Sequence, residues 1–155
     1  NYGRWNLKAR FMYRFGNKVV NAARQNLESM STANNQCSTV NWRWRKDGDV
    51  TMMPRAIYVY DNSSAYNYQG SDRFVEDGSF VRFQNLQIGY NFDKKVIKNW
   101  GLNDLKFYVT MNNLFCWTRY SGVDPEVGTG GWGVATDNSQ TPRAKSFTAN
   151  INIGF

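Results

Sequence analysis

Phe147-Thr-Ala-Asn-Ile-Asn-Ile-Gly-Phe155 is the stretch whose reading decides the fold. Phe147, Ala149, Ile151, Ile153 and Phe155 occupy alternate positions, with Thr148, Asn150, Asn152 and Gly154 between them. A period of two puts the apolar set on one face of a β-strand and the polar set on the other. Two architectures use such a strand. An edge strand of a soluble antiparallel sheet alternates in this way. So does a strand of a membrane β-barrel, whose last aromatic then stands at the lipid boundary. An apolar aromatic at the end favours the barrel, because the last residues of a soluble domain ordinarily fray in water.

Working outward, the same period recurs. Over residues 4–15, Trp5, Leu7, Ala9, Phe11, Tyr13 and Phe15 alternate with Arg4, Asn6, Lys8, Arg10, Met12 and Arg14. This is longer than the usual soluble strand of about five or six residues and suits a tilted transmembrane strand of about 9–11. A row of cations on one sheet face is a poor choice for a packed core but suits a water-filled lumen. A second strand is expected over 80–92, where Leu86, Ile88, Tyr90 and Phe92 alternate with Asn85, Gln87, Gly89 and Asn91. Its first part, Phe80–Gln84, breaks the alternation, as expected where a strand rises above the hydrocarbon. A third strand is expected over 105–117, with Leu105, Phe107, Val109 and Met111 on one side. The terminal strand spans 144–155.

The connections differ in length. Residues 93–104 make a short turn carrying Lys94, Lys95, Lys98 and Trp100, read as one helical turn ended by Gly101. Residues 16–79 and 118–143 are long, polar and turn-rich, and loops of that length are usually functional. Within the first, Val20, Ala23, Leu27 and Met30 have helical spacing, so a short helix is expected in Asn17–Met30, and Ile57–Tyr60 reads as a short strand. Short turns on one side and long loops on the other are the asymmetry of outer-membrane barrels, periplasmic and extracellular respectively. Four strands cannot close a barrel, since small barrels need about eight, so the chain reads as a fragment of a larger one. An eight-stranded barrel complete in this length would need four more strands in the two long segments, where the pattern shows none.

Composition removes other classes. The net charge of +7 suggests an anionic partner, but its excess lies on the strand segments and the short turn rather than on a basic loop or helix, so no nucleic-acid partner is expected. Without histidine, Ser-His-Asp, Cys-His and His-ligated metal sites are excluded. Cys37 and Cys116 stand in no CxxC and are expected as free thiols, with a disulfide between them in an oxidising compartment as the alternative. No apolar run approaches the roughly 18 residues of a transmembrane helix, and Asn1-Tyr-Gly-Arg-Trp5 lacks a signal-peptide pattern.

Among motifs, Gly128-Thr-Gly-Gly-Trp-Gly133 satisfies GxGxxG, but follows no strand and opens no helix, so it reads as a loop. Asp47-Gly-Asp49 lacks the further ligands of a calcium loop and reads as a turn. Glu76-Asp-Gly-Ser79 reads as a turn leading into a strand. No catalytic residue, metal or cofactor is expected. Trp42-Arg-Trp-Arg-Lys46 is the most suggestive loop segment, because indole and guanidinium groups stack on sugars and pair with carboxylates. Trp42, Arg43, Trp44 and Trp132 are the candidate ligand contacts, with packing onto the loop itself or onto a partner protein as the competing reading. Tyr90, Phe92, Trp100 and Phe155 would gather at one membrane boundary as an aromatic girdle, with Phe15 and Trp117 near the other.

Three stretches resemble one family: Ser71–Phe92 (Ser-Asp-Arg-Phe-Val-Glu-Asp-Gly-Ser-Phe-Val-Arg-Phe-Gln-Asn-Leu-Gln-Ile-Gly-Tyr-Asn-Phe), Asn112–Glu126 (Asn-Asn-Leu-Phe-Cys-Trp-Thr-Arg-Tyr-Ser-Gly-Val-Asp-Pro-Glu) and the terminal strand. They are similar to the C-terminal end of SusC/RagA-type TonB-dependent transporters of Bacteroidetes outer membranes. Gly16–Asn21, Trp44–Thr51 and Pro54-Arg55 extend the resemblance, while Asp47 and Asp93 stand where the family often has Pro. The resemblance implies an all-β, antiparallel transmembrane barrel of about 22 strands with a plugged lumen, of which this chain supplies the last four. It implies import of an oligosaccharide or peptide with a SusD-like lipoprotein. TonB would be contacted through upstream segments, and Phe155 would be read by the barrel-assembly machinery. The alternative is a soluble β-sandwich or small barrel that binds carbohydrate.

Overall fold

The computed structural model describes residues 1–31, 33–57, 67, 69–128 and 134–155. In chain order its elements are β1 (Trp5–Arg14), β2 (Lys18–Asn21), α1 (Ala22–Leu27), β3 (Val75–Asp77), β4 (Phe80–Asn91), α2 (Lys94–Ile97), β5 (Asp104–Thr118), β6 (Ala135–Asp137) and β7 (Ser146–Gly154). They fall into two units. The first comprises Asn1–Gly16, Ser79–Arg119 and Pro142–Phe155; the second comprises Asn17–Gly78 and Tyr120–Thr141.

The first unit is a four-stranded antiparallel sheet in the order β1-β4-β5-β7. Its register places Trp5, Tyr90, Phe107 and Ile151 in one row, Leu7, Ile88, Val109 and Ala149 in the next, and Ala9, Leu86, Met111 and Phe147 in a third. Pleating sends all three rows to the same face. The other face carries Asn6, Gly89, Tyr108 and Asn150, then Lys8, Gln87, Thr110 and Thr148, then Arg10, Asn85, Asn112 and Ser146.

The broken alternation in Phe80–Gln84 has a different cause from the one expected. Arg10 pairs with Asn85 and Phe11 with Phe83, so Gln84 is an extra residue opposite β1. Across β5, Phe83 pairs with Phe115 and Asn85 with Asn112, leaving Asn113 and Leu114 opposite Gln84. Asn113 takes the left-handed conformation there, with φ 54°, which Asn tolerates better than most residues. A bulge of this kind resets parity. Val81 and Phe83 therefore join Leu86, Ile88 and Tyr90 on the apolar face, and Phe83 stacks on Phe11 with ring centroids 4.6 Å apart.

The short turn is closed by local chemistry. Asp93 caps α2 by accepting the Lys95 N–H (2.9 Å), Ile97 is buried, and Gly101 ends the turn at φ 73°. The cap accounts for an Asp at a position that often holds Pro in the resembling family.

The second unit centres on a three-stranded sheet in the order β3-β2-β6, with β2 antiparallel to β3 and parallel to β6. The helix expected in Asn17–Met30 is confined to Ala22–Leu27, because the β-branched pair Val19-Val20 enters the sheet. Asn21 then caps the helix by accepting the Arg24 N–H (2.9 Å). Val19, Phe74, Met30, Met53, Tyr120, Pro125 and Val127 are among its buried apolar residues. Residues 58–60 of the expected strand Ile57–Tyr60 lie outside the described residues.

Candidate functional site

The first unit is a wall with two chemically opposed faces. Leu7, Phe147 and Ile151 of the apolar face are 64%, 67% and 62% exposed. Leaving such side chains in water forfeits about 1.5–3 kcal/mol each, so an exposed sheet of them calls for lipid or protein against it. The polar face is laced by hydrogen bonds between strands. Asn85 donates to Asn112 (2.7 Å), Asn112 donates to Ser146 (3.0 Å), and Asn152 donates to the Tyr108 hydroxyl. Lower on this face a groove of ≈ 310 Å³ is lined by Asn6, Lys8, Gln87, Gly89, Asn91, Lys106 and Tyr108. Lys106 pairs with Asp104 (2.8 Å). Lys8 and Arg10 have no carboxylate partner among the described residues and are exposed. Such a surface suits water, a polar solute or complementary protein, and not hydrocarbon.

The second unit is organised by a network of half-buried ions around the buried Glu28. Glu28, 3% exposed, receives Arg24 Nε on Oε1 (2.9 Å) and Arg73 Nη2 on Oε2 (2.7 Å), and Thr39 donates to Oε1 (3.3 Å). Arg24 also reaches Glu76 Oε1 (3.1 Å), which accepts from Asn21 and from the Ser121 hydroxyl. Glu76 Oε2 accepts the Ser121 N–H (2.9 Å). Glu76 therefore stands in β3 as an anchor, where the sequence had suggested a turn. Burial acts to raise its carboxyl, but the Ser121, Arg24 and Asn21 hydrogen bonds outweigh that and hold it below the ordinary 4.5. Burial and the hydrogen bond to Asp137 (2.7 Å) push the Tyr120 hydroxyl far above the usual phenol range.

The sign of the pH effect follows from the Glu76 shift. A carboxyl with a depressed folded pKa stabilises the fold above its unfolded pKa, and that contribution is lost as pH falls through the folded value. Stability of this unit is expected to decline below about pH 4.5. Glu76→Gln is expected to start lower and show a flatter acid limb in thermal unfolding of the intact receptor at stepped pH.

Of the candidate ligand contacts, Trp42, Arg43 and Trp44 lie together on one loop. Trp42 ends the 3-10 turn Ser38–Trp42 and is 78% exposed. Arg43 donates to the Val40 carbonyl (3.3 Å), and the Trp44 N–H donates to the Met53 carbonyl (3.0 Å), both side chains being half-buried. Thr51 donates to the Trp42 carbonyl, and Asp49 accepts the Arg45 and Lys46 N–H groups, so this segment is a folded loop. Trp132 and residues 129–133 of the glycine motif lie outside the described residues. Of the girdle candidates, Tyr90 meets Phe92 edge-on (5.1 Å) and Trp5 at a tilt (4.9 Å). Trp100 and Phe155 are 63% and 88% exposed. At the other end of the sheet, Phe15 lies beside Tyr13 (5.7 Å) and Trp117 beside Phe115 (6.1 Å). Both cysteines are free thiols. Among the described residues no group of carboxylates and thiols could hold a metal.

The Glu28 network was not found from sequence. The only local signal was the i, i+4 spacing of Arg24 and Glu28, which exposed helices also use.

No family model matches the chain. Among curated proteins it is 27% identical over 161 residues to the TonB-dependent receptor P3 of Formosa agariphila, covering 99% of this chain and 15% of that receptor. It is 33% identical over 87 residues to the TonB-dependent receptor SusC of Bacteroides thetaiotaomicron, covering 55% of this chain and 8% of SusC. A solved structure of the RagAB peptide transporter superposes on the whole chain with TM-score 0.79 at 23% identity, over 16% of that chain. The closed-closed state of the RagAB peptide importer gives 0.78 at 24%, over 97% of this chain and 16% of that one.

The chain is similar over nearly its whole length to one part of a TonB-dependent receptor, and over 55% of it to SusC, and shares the fold of the matching part of RagAB.

It spans about one-seventh of the Formosa receptor. SusC/RagA-type receptors are outer-membrane β-barrel proteins of Bacteroidetes, so the two-faced sheet belongs to a barrel wall in that membrane. None of the similar proteins named above is described as an enzyme; they are receptors and importers.

Proposed function

We propose that this chain forms the last four strands of a plugged barrel of about 22 strands that imports an oligosaccharide or a peptide. TonB supplies the energy through upstream segments, and a SusD-like lipoprotein closes the outer mouth. The turn 93–104 faces the periplasm, the segments 16–79 and 118–143 face outward, and Phe155 is the signal read by the assembly machinery. Trp42, Arg43, Trp44 and Trp132 on the outward segments contact cargo or lipoprotein.

The observation that carries this reading is the continuous two-faced wall. The apolar face stays in register across the bulge, while the opposite face holds Lys8 and Arg10 among amides and hydroxyls. A soluble carbohydrate-binding sandwich would need a second sheet over the apolar face, and Leu7, Phe147 and Ile151 remain more than half exposed. Connectivity also supports the reading. Both long segments leave the sheet at the end where Arg14, Phe80 and Thr118 stand, and the short turn closes the other.

Uptake of fluorescent oligosaccharide and peptide pools by cells expressing the intact receptor tests this. Uptake of one pool is expected to vanish on removing either TonB or the lipoprotein. Uptake unchanged without TonB would refute energised import.

A further inference from the structure

We propose that the turn between β4 and β5 binds the headgroups of anionic phospholipids at the edge of the bilayer. The proposal rests on the membrane-wall reading above.

Lys94 and Lys95 lie on α2 and Lys98 on the following 3-10 turn, all three exposed. None has a carboxylate partner among the described residues. The acids at the turn's two ends are already committed: Asp93 caps α2 by accepting the Lys95 N–H and pairs with Arg4, and Asp104 pairs with Lys106. Three ammonium groups within five residues repel one another unless an anion lies against them. The turn also holds them in place, since Ile97 is buried and the Leu102 N–H bonds the Ile97 carbonyl (3.2 Å).

What adjoins the lysines indicates the occupant. Trp5, Tyr90 and Phe92 form a cluster on the apolar face beside this turn, the amphipathic band of a membrane boundary. Val96 and Trp100, 50% and 63% exposed, stand among the lysines themselves. Apolar side chains interleaved with lysines suit the headgroup level, where stems meet acyl chains and ammonium groups meet phosphate. An acidic protein partner would satisfy the charges but leave no reason for a continuous aromatic band beside them.

Intact receptor in nanodiscs of phosphatidylethanolamine with a minor fraction of phosphatidylglycerol tests this by native mass spectrometry of retained lipid. Wild type is expected to retain phosphatidylglycerol in excess of its share. Each lysine near an anionic surface is worth about fivefold in binding, so the triple variant K94Q/K95Q/K98Q is expected to lose at least about tenfold of that preference. The triple Lys→Arg variant is expected to keep it, which separates charge from misfolding, and high salt is expected to weaken it. Lipid retained in the ratio of the nanodisc, or preference unchanged in the triple Gln variant, would overturn the proposal. Lipid-soluble labelling of single cysteines at Phe11 and Arg10 in the same nanodiscs separates the two readings. Preferential labelling at Phe11 without lipid preference sinks this proposal alone, whereas equal labelling sinks the wall reading and this proposal with it.

Discussion

Phe147→Arg in the intact receptor is expected to cost about 2–4 kcal/mol in barrel stability, the penalty for a cation near the bilayer midplane on a lipid-facing wall. Phe147 is suited to the test because it shares a row with Ala9, Leu86 and Met111, midway between Trp5 and Tyr13 along β1, and it is 67% exposed. In water, exchanging one exposed side chain for another would change stability within about 0.5 kcal/mol. The effect therefore measures what lies against that face. The matched substitution Asn150→Arg, three residues along β7 and on the opposite face beside Tyr108, is expected to cost less than about 1 kcal/mol. Urea unfolding in vesicles, followed by the mobility of folded and unfolded bands, reads both. Equal penalties at the two positions would mean that the faces do not meet different solvents.

Glu28→Ala is expected to destabilise the second unit by about 3 kcal/mol. Removing one partner of a buried ion pair costs roughly 3–5 kcal/mol, because the remaining charge is stranded. Here Arg73 would lose its carboxylate while Arg24 keeps Glu76, and the two are 25% and 36% exposed and can reach water, which places the loss at the low end. Glu28→Gln keeps some hydrogen bonding without the charge and is expected to fall between. Hydrogen exchange of the intact receptor is the appropriate readout, with faster exchange expected in α1 and in β3. Protection unchanged in Glu28→Ala would show that the cluster does not hold the unit together.

The wall was legible in the sequence because a barrel strand repeats its solvent contrast at every second residue. Residues 4–15 display that contrast with Met12 as its one break, and residues 147–155 display it without interruption. Residues 80–84 do not, since a bulge shows only when the register of both neighbours is known: Gln84 is an extra residue opposite β1, while β5 answers with Asn113 and Leu114. The second unit was far less legible. Lys18–Asn21 and Val75–Asp77 are too short to establish a period, and β2 draws its partners from residues 75–77 and 135–137. Glu28, Arg73 and Glu76 look like ordinary surface charges until the fold brings them together. The Trp42–Lys46 segment was conspicuous by composition, yet the structure spreads it along a folded loop, with Trp42 exposed and Trp44 half-buried.

Accessibility on both sides of the bulge tests the two-faced wall most directly. Single cysteines at Arg10, Phe11, Arg82 and Phe83, in intact receptor with Cys37 and Cys116 replaced by Ser, would be exposed in membranes to a lipid-soluble photoreactive label. Strong labelling is expected at Phe11 and Phe83 and little at Arg10 and Arg82, the pattern that the reset parity requires. Equal labelling within either neighbouring pair would contradict the assignment of one face to lipid and the other to the lumen.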